Sequence, residues 1–234
     1  MTNASVDGSA ATDYFSSRHP LRRAATRLAL RARKVMYRRY TDVFPPTPEQ
    51  AVVDVGVTPD RSLADSNFFE QWYPYKHKLT ATSIEDASFL EREYPGLTFV
   101  QTDGSKLPFA DDEFDIAFSS AVLEHVGDRA AQRAFVAEIC RVSRHFFLTT
   151  PNRGFPIEVH TFLPLLHWLP QRHHQTALRR LRKSFWADTA NLNLLTTAEL
   201  MALFPSDVEV DLVRHRTAGL CSNLIVHGRS KRLR

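Results

Sequence analysis

The sequence predicts an α/β protein: a Rossmann-like, seven-stranded mixed sheet preceded by a basic helix and carrying an inserted cap. Three observations predict it. Between Ala51 and Thr150, short apolar runs alternate with amphipathic segments, which is the rhythm of right-handed βαβ units in a parallel sheet. Several of those runs end in small or polar residues, as strands do where a ligand crevice opens at their carboxyl ends. The last two runs, Val208 to Val213 and Cys221 to His227, are joined through Ala218-Gly219, which predicts an antiparallel pair at a sheet edge.

Each element follows from its own residues. Residues 1–17 are polar and small and read as a disordered leader. His19 to Tyr40 reads as a helix, with Leu21, Ala25, Leu28, Ala32 and Val35/Met36 at three- and four-residue steps and eight basic residues between them. Pro20 suits its first turn, where the N–H has no partner to lose. Three prolines in Phe44 to Pro48 make a linker, so residues 18–48 form a helix and connector ahead of a domain spanning 49–234. Ala51 to Val55 is the first strand, ended by Gly56, and Ser66 to Tyr73 is helical. Leu79 to Ile84 is the second strand, and Asp86 to Tyr94 is a short helix stopped by Pro95-Gly96. Leu97 to Thr102 and Phe114 to Ser119 are the third and fourth strands. Asp128 caps a helix that puts Ala131, Phe135, Ile139 and Val142 on one face. His145 to Thr150 is the fifth strand. Residues 151–193, rich in Pro, Trp and His, interrupt the rhythm and read as a cap over the site. Thr196 and Glu199 form a capping-box pattern ahead of a helix to Phe204.

Composition narrows the class. The chain has 234 residues, 43% of them hydrophobic, with mean hydropathy −0.29, which suits one globular domain with additions. No apolar run is long enough to span a bilayer, and the start lacks a signal core. Cys140 and Cys221 are the two cysteines, far apart, so no disulfide framework is expected. A reducing cytoplasm is the expected setting. The net charge of +4 is concentrated in the basic stretches 18–39 and 229–234. That asymmetry points to an anionic surface, or to a solvated basic face. The basic helix suits peripheral attachment to the inner membrane face through residues 18–40. Its Leu/Ala stripe equally suits packing on the sheet domain. Nucleic acid is not expected, because no binding motif is present.

The stretch from Thr102 to Val126, T-D-G-S-K-L-P-F-A-D-D-E-F-D-I-A-F-S-S-A-V-L-E-H-V, carries a resemblance. An acidic residue and a small one stand before Leu-Pro-Phe, an F-D pair opens the next strand, and Leu-Glu-His-Val follows it. In this order and spacing the stretch resembles the middle of a class I S-adenosylmethionine-dependent methyltransferase of the type 11 family. The likeness covers about residues 50 to 165 on the usual domain scale. It implies the class I methyltransferase fold, S-adenosyl-L-methionine as cofactor, and methyl transfer to a small-molecule, glycan or lipid-linked acceptor. A non-catalytic relative scaffolding at a membrane is the alternative from another class. A dehydrogenase would need G-x-G-x-x-G after the first strand, and Val57, Thr58 and Pro59 do not supply it.

The resemblance also implies a site. Asp54 and Gly56 stand at the first turn, where the family has several glycines and this chain keeps one. Ser83 and Glu85 stand where a carboxylate takes the ribose hydroxyls. Asp103 and Gly104 would take the adenine edge, walled by Leu107 and Phe109, and Ser119 would complete the crevice. His125 is the leading general base for a hydroxyl acceptor and His160 the second choice. Some related O-methyltransferases place a metal on Glu-x-x-Glu-His and a later His. Here Ala121 replaces the first Glu, leaving Glu124, His125 and His160, and the expected site includes no metal. The residues after the fifth strand mix apolar and charged side chains, which suits an amphiphilic acceptor or ordinary packing.

Overall fold

The computed structural model describes residues 20–61 and 66–230; the expected leader lies outside them. A seven-stranded sheet runs in the order β3-β2-β1-β4-β5-β7-β6. Its strands are β1 Val52–Val55, β2 Leu79–Ser83, β3 Thr98–Gln101, β4 Phe114–Ser120, β5 Ser143–Pro151, β6 Val208–Thr217 and β7 Leu220–Ser230. β1 to β5 are parallel to one another, and β7 pairs antiparallel with both β5 and β6. The expected antiparallel edge is therefore present. Both of its strands run further than their alternation alone indicates, and β6 carries an irregularity at His215/Arg216.

Alternating side chains build two cores, one on each sheet face. Val53, Val55 and Ala117 join Phe135, Ile139 and Leu200 on one face, against α4 Arg129–Val142 and α6 Thr197–Met201. Val52, Ile116 and Phe118 join Phe69, Leu90 and Tyr40 on the other, against α1 Pro20–Val43, α2 Phe68–Trp72 and α3 Phe89–Glu93. The expected caps hold. The Asp128 carboxylate accepts from Ala130 and Ala131 N–H, both at 2.9 Å, and Thr196 with Glu199 closes a capping box.

Residues 151–193 leave the sheet, contribute α5 Gln171–Arg180 and two short 3₁₀ turns, and return at Asn193, whose N–H donates to Glu124 O at 2.7 Å. Among the described residues, no helix is long and apolar enough to cross a membrane.

Helix α1 takes the packing role that its apolar stripe allowed. Met36 and Tyr40 are buried. The Tyr40 ring meets Phe118 and Phe147 edge-on, at centroid distances of 5.6 Å each. Its hydroxyl is buried without a hydrogen-bond partner among the described residues. Tyr40→Ala should therefore lower unfolding free energy by about 3–4 kcal/mol, from lost burial plus a cavity. Tyr40→Phe should be neutral or stabilising, because it removes an unsatisfied hydroxyl. Urea denaturation of the two variants checks both signs.

Candidate active site

The carboxyl ends of β1 to β5 lie along one edge of the sheet, and the expected residues gather there in two groups. The open group is at β2 and β3. Ser83 is buried, and its hydroxyl accepts from Glu85 N–H at 3.2 Å. Glu85 and Asp103 are exposed. Asp103 Oδ1 accepts from Ser105 N–H at 2.8 Å, which turns the loop. Ile84, between Ser83 and Glu85, is 70% exposed. Its carbonyl accepts from the Gln101 side chain at 3.0 Å, which ties it to the end of β3. An exposed branched apolar side chain beside the Glu85 carboxylate can serve as a platform for a flat ring. The sequence reading passed over it as the end of a strand.

The closed group is at β1. The Asp54 side chain turns inward to the buried Glu70 and not to the lip. Burial pushes the Asp54 carboxyl well above its usual range and Glu70 adds to the rise. Burial raises Glu70 as well. Gly56 has φ +106, which favours glycine. A Cβ there would lie 2.3 Å from Val122 Cγ2, so Val122 covers this face of the turn. Gly56 and Val57 N–H both donate to Thr82 O, Thr58 N–H donates to Asn67 Oδ1, and Asp60 N–H to Thr58 Oγ1. The turn thus satisfies its own donors. Ser119 likewise faces inward, donating to Val55 O at 2.7 Å. Gly104 is needed for packing, since a Cβ would meet Phe135 Cε2 at 2.7 Å. Leu107 and Phe109 belong to the core: Leu107 is buried, Phe109 meets Phe114 edge-on, and Arg141 and Glu138 of α4 brace their backbone.

Arg33 enters this edge from α1. Its Nη1 donates to Ser120 Oγ at 2.7 Å, and its guanidinium lies 5.2 Å over the Phe68 ring. Its charge is close enough to pull down the pKa of both Asp54 and His160. Sequence spacing marks it as one basic residue among eight in the helix. Its role depends on a contact across 87 positions.

Past β4, a 3₁₀ turn, Leu123–His125, places Glu124 and His125. Glu124 is fully buried. Thr150 Oγ1 donates to its Oε2 at 2.9 Å, while Oε1 has no hydrogen bond among the described residues and lies 3.9 Å from His125 Nε2. His125 Nδ1 sits 2.7 Å from Asn191 O. A carbonyl only accepts, so Nδ1 carries a proton. His160 is set the same way: its Nδ1 is 2.6 Å from the carboxylate of buried Glu158. The two imidazoles stand 4.8 Å apart and edge to face, and Trp186 lies 5.1 Å from His160. Ligand-capable atoms of Glu124, His125 and His160 all fall within 4.8 Å of one another.

Residues 66–145 match the sequence profile of a family described as a methyltransferase domain. This chain carries a class I methyltransferase domain. The fold is shared with solved structures. The YcgJ protein from Bacillus subtilis is 14% identical, with a TM-score of 0.57 over 85% of this chain and 99% of that one. Magnesium protoporphyrin IX methyltransferase from Synechocystis PCC 6803, solved with S-adenosylhomocysteine, is 13% identical, with a TM-score of 0.56 over 93% and 91%. The N-methyltransferase NodS from Bradyrhizobium japonicum, also solved with S-adenosylhomocysteine, is 12% identical, with a TM-score of 0.53 over 92% and 90%. No curated protein sequence matches. This methyltransferase is an enzyme of the S-adenosylmethionine-dependent class. The described residues fit that cofactor unevenly. Ile84, Glu85 and Asp103 leave an open lip of the right chemistry for a nucleoside, whereas the self-satisfied turn at Gly56 offers the amino acid end no donor.

The Glu158–His160 pair should titrate as a unit. Burial pushes the Glu158 carboxyl up, but hydrogen bonds and charge from His160, with Thr161, outweigh it and hold the pKa at about 2. Burial pulls His160 down, but Glu158 outweighs it and the net shift is upward from 6.5. The ion pair therefore stabilises the fold between those limits. It is lost in acid as Glu158 protonates and in base as pH rises through the raised His160 value. NMR titration should place the His160 midpoint above 6.5 in the native protein and lower in Glu158→Gln. An unchanged midpoint in that variant would show that Glu158 does not set it.

Proposed function

We propose that this methyltransferase moves a methyl group from S-adenosylmethionine to a hydroxyl of an amphiphilic acceptor. The observation that carries the reading is the pair of imidazoles at the strand ends, each with Nδ1–H fixed by an acceptor and Nε2 left for a bound acceptor. Bound there, S-adenosylmethionine supplies a methyl group activated on a sulfonium. Asp103 and Glu85 hold the nucleoside polar edges, and Ile84 meets the base. Arg33 takes the carboxylate of the amino acid end, which the turn at Gly56 leaves without a donor. His125, the residue first expected as the base, accepts the proton of the acceptor hydroxyl at Nε2. His160 beside it, in its ion pair with Glu158, donates Nε2–H to the hydroxyl oxygen and orients it. A positioned base contributes about 10²–10⁴-fold to such a step. Phe185 and Trp186 flank the imidazoles with apolar surface, which suits an acceptor with an apolar body.

A second reading is favoured by the orphaned Glu124 Oε1. With Nε2 of both histidines it makes a three-ligand set with outer partners at Glu158, Asn191 and Thr150, a set that suits a divalent cation. A cation there would lower the pKa of the acceptor hydroxyl. Cobalt(II) separates the readings: visible absorption that disappears in His160→Ala supports the cation, and its absence in the native protein leaves the histidines to act without a metal.

Calorimetry tests the cofactor assignment. S-adenosylhomocysteine should bind, and Asp103→Ala should weaken it by about tenfold or more, the worth of a hydrogen bond to a charged group. Arg33→Ala should weaken S-adenosylhomocysteine by a similar factor but leave methylthioadenosine, which lacks the amino acid end, unchanged. Failure of the native protein to bind either nucleoside would overturn the reading. Equal losses for both in Arg33→Ala would overturn only the role given to Arg33.

A further inference from the structure

The cap keeps its apolar side chains outside. Eight of the twelve exposed large hydrophobic residues in the described structure fall within residues 157–185. Ile157, Phe162, Leu165, Trp168, Leu181 and Phe185 keep between 47% and 64% of their surface open. Scattered exposed leucines are ordinary, but a concentration of this kind marks an interaction surface.

The backbone works to hold that surface in place. Phe162 has φ +57 and Leu165 has φ +61, a conformation that costs a non-glycine residue about 1–2 kcal/mol. Phe162 N–H donates to Glu158 O at 2.8 Å and Leu165 N–H to Pro156 O at 2.7 Å, and an Ile157↔Pro164 bridge closes the loop. These bonds fix a tight double turn whose strained positions carry apolar side chains facing water. Trp168 is arranged similarly: its indole N–H donates to Arg153 O at 3.0 Å, which leaves the ring free of an unmet donor.

Charge identifies the partner. From Val159 to Ala187 the chain holds no Asp or Glu, and it holds Arg172, Arg179, Arg180, Arg182 and Lys183. The four arginines are exposed. Aliphatic and aromatic side chains beside an acid-free basic helix match a surface with an apolar interior and anionic headgroups. Each basic residue at such a surface is worth about 1 kcal/mol.

We infer that the cap, residues 157–185, docks this enzyme on an anionic lipid bilayer, with the loop around Phe162 and Leu165 entering the apolar layer and the arginines of α5 at the headgroups. This differs from attachment through α1, whose described part commits Met36 and Tyr40 to the core. The docked surface leads to the candidate site. Phe185 is edge-on to Trp186 at 4.9 Å, and Trp186 lies against His160 and His125. On the reading of methyl transfer proposed above, an acceptor resident in the bilayer reaches the imidazoles along this path. The docking itself does not depend on that reading.

Flotation of the full chain with vesicles tests it. At low salt the protein should float with vesicles of phosphatidylcholine mixed with phosphatidylglycerol, and stay behind with phosphatidylcholine alone. Phe162→Ser with Trp168→Ser, and separately Arg179→Glu with Arg180→Glu, should each cut binding at least tenfold while melting temperature and S-adenosylhomocysteine affinity stay native. Arg31→Glu with Arg38→Glu on α1 should change binding much less. The inference fails if the native chain does not float with anionic vesicles, or if either cap variant floats as well as native. It also fails if sedimentation velocity shows a dimer that Phe162→Ser with Trp168→Ser dissociates, since a second copy would then be the occupant. Loss of nucleoside binding with vesicle binding intact would overturn the methyl-transfer reading alone.

Discussion

Glu124 is a carboxylate shut away from water, and such a group needs partners. Thr150, at the end of β5, supplies one on Oε2. The backbone carbonyl of Glu124 receives Asn193 N–H, where the cap returns to the sheet. Glu124 therefore joins the turn after β4, the end of β5 and the closing segment of the cap. Its second oxygen faces the imidazole of His125, and His160 completes the group. The polar chemistry of the site is thus anchored on a buried carboxylate and completed by the inserted segment. Asn191 and Glu158 each hold the Nδ1 side of one imidazole.

On the proposed reading, the cofactor cleft divides along the same edge. Its nucleoside end is built locally: Ile84 and Glu85 follow β2, Asp103 follows β3, and hydrogen bonds between the strand ends hold them beside each other. Its amino acid end cannot be built that way, because the donors of the first turn go to Thr82, Asn67 and Thr58. Arg33 arrives there from a helix that precedes the sheet in sequence. Docking α1 through Tyr40 and Met36 thereby serves the site as well as the core.

Much of this fold is legible from residues near one another in sequence. The strand runs, the cap at Asp128, the box at Thr196 and Glu199, and the antiparallel final pair all rest on local pattern. The L-P-F and F-D signals stand beside the lip, with Leu107 and Phe109 packed against the core. Asp54 and Ser119 stand at the expected strand ends but turn inward, Asp54 toward Glu70 and Ser119 to Val55 O. What stayed hidden depends on distance in the chain: the contact of Arg33 with Ser120, and the exposure of the cap's apolar residues, which periodicity cannot separate from packing. The orienting role of Glu158 is two residues from His160, but it emerges only when the cap's tight turn brings carboxylate and ring together.

A crystal structure with S-adenosylhomocysteine bears most directly on the account. It should show the adenine against Ile84, the ribose and base edge at Glu85 and Asp103, the carboxylate at Arg33, and the sulfur facing the imidazoles of His125 and His160. A lip occupied by the protein's own side chains, or a sulfur directed away from both histidines, would contradict it.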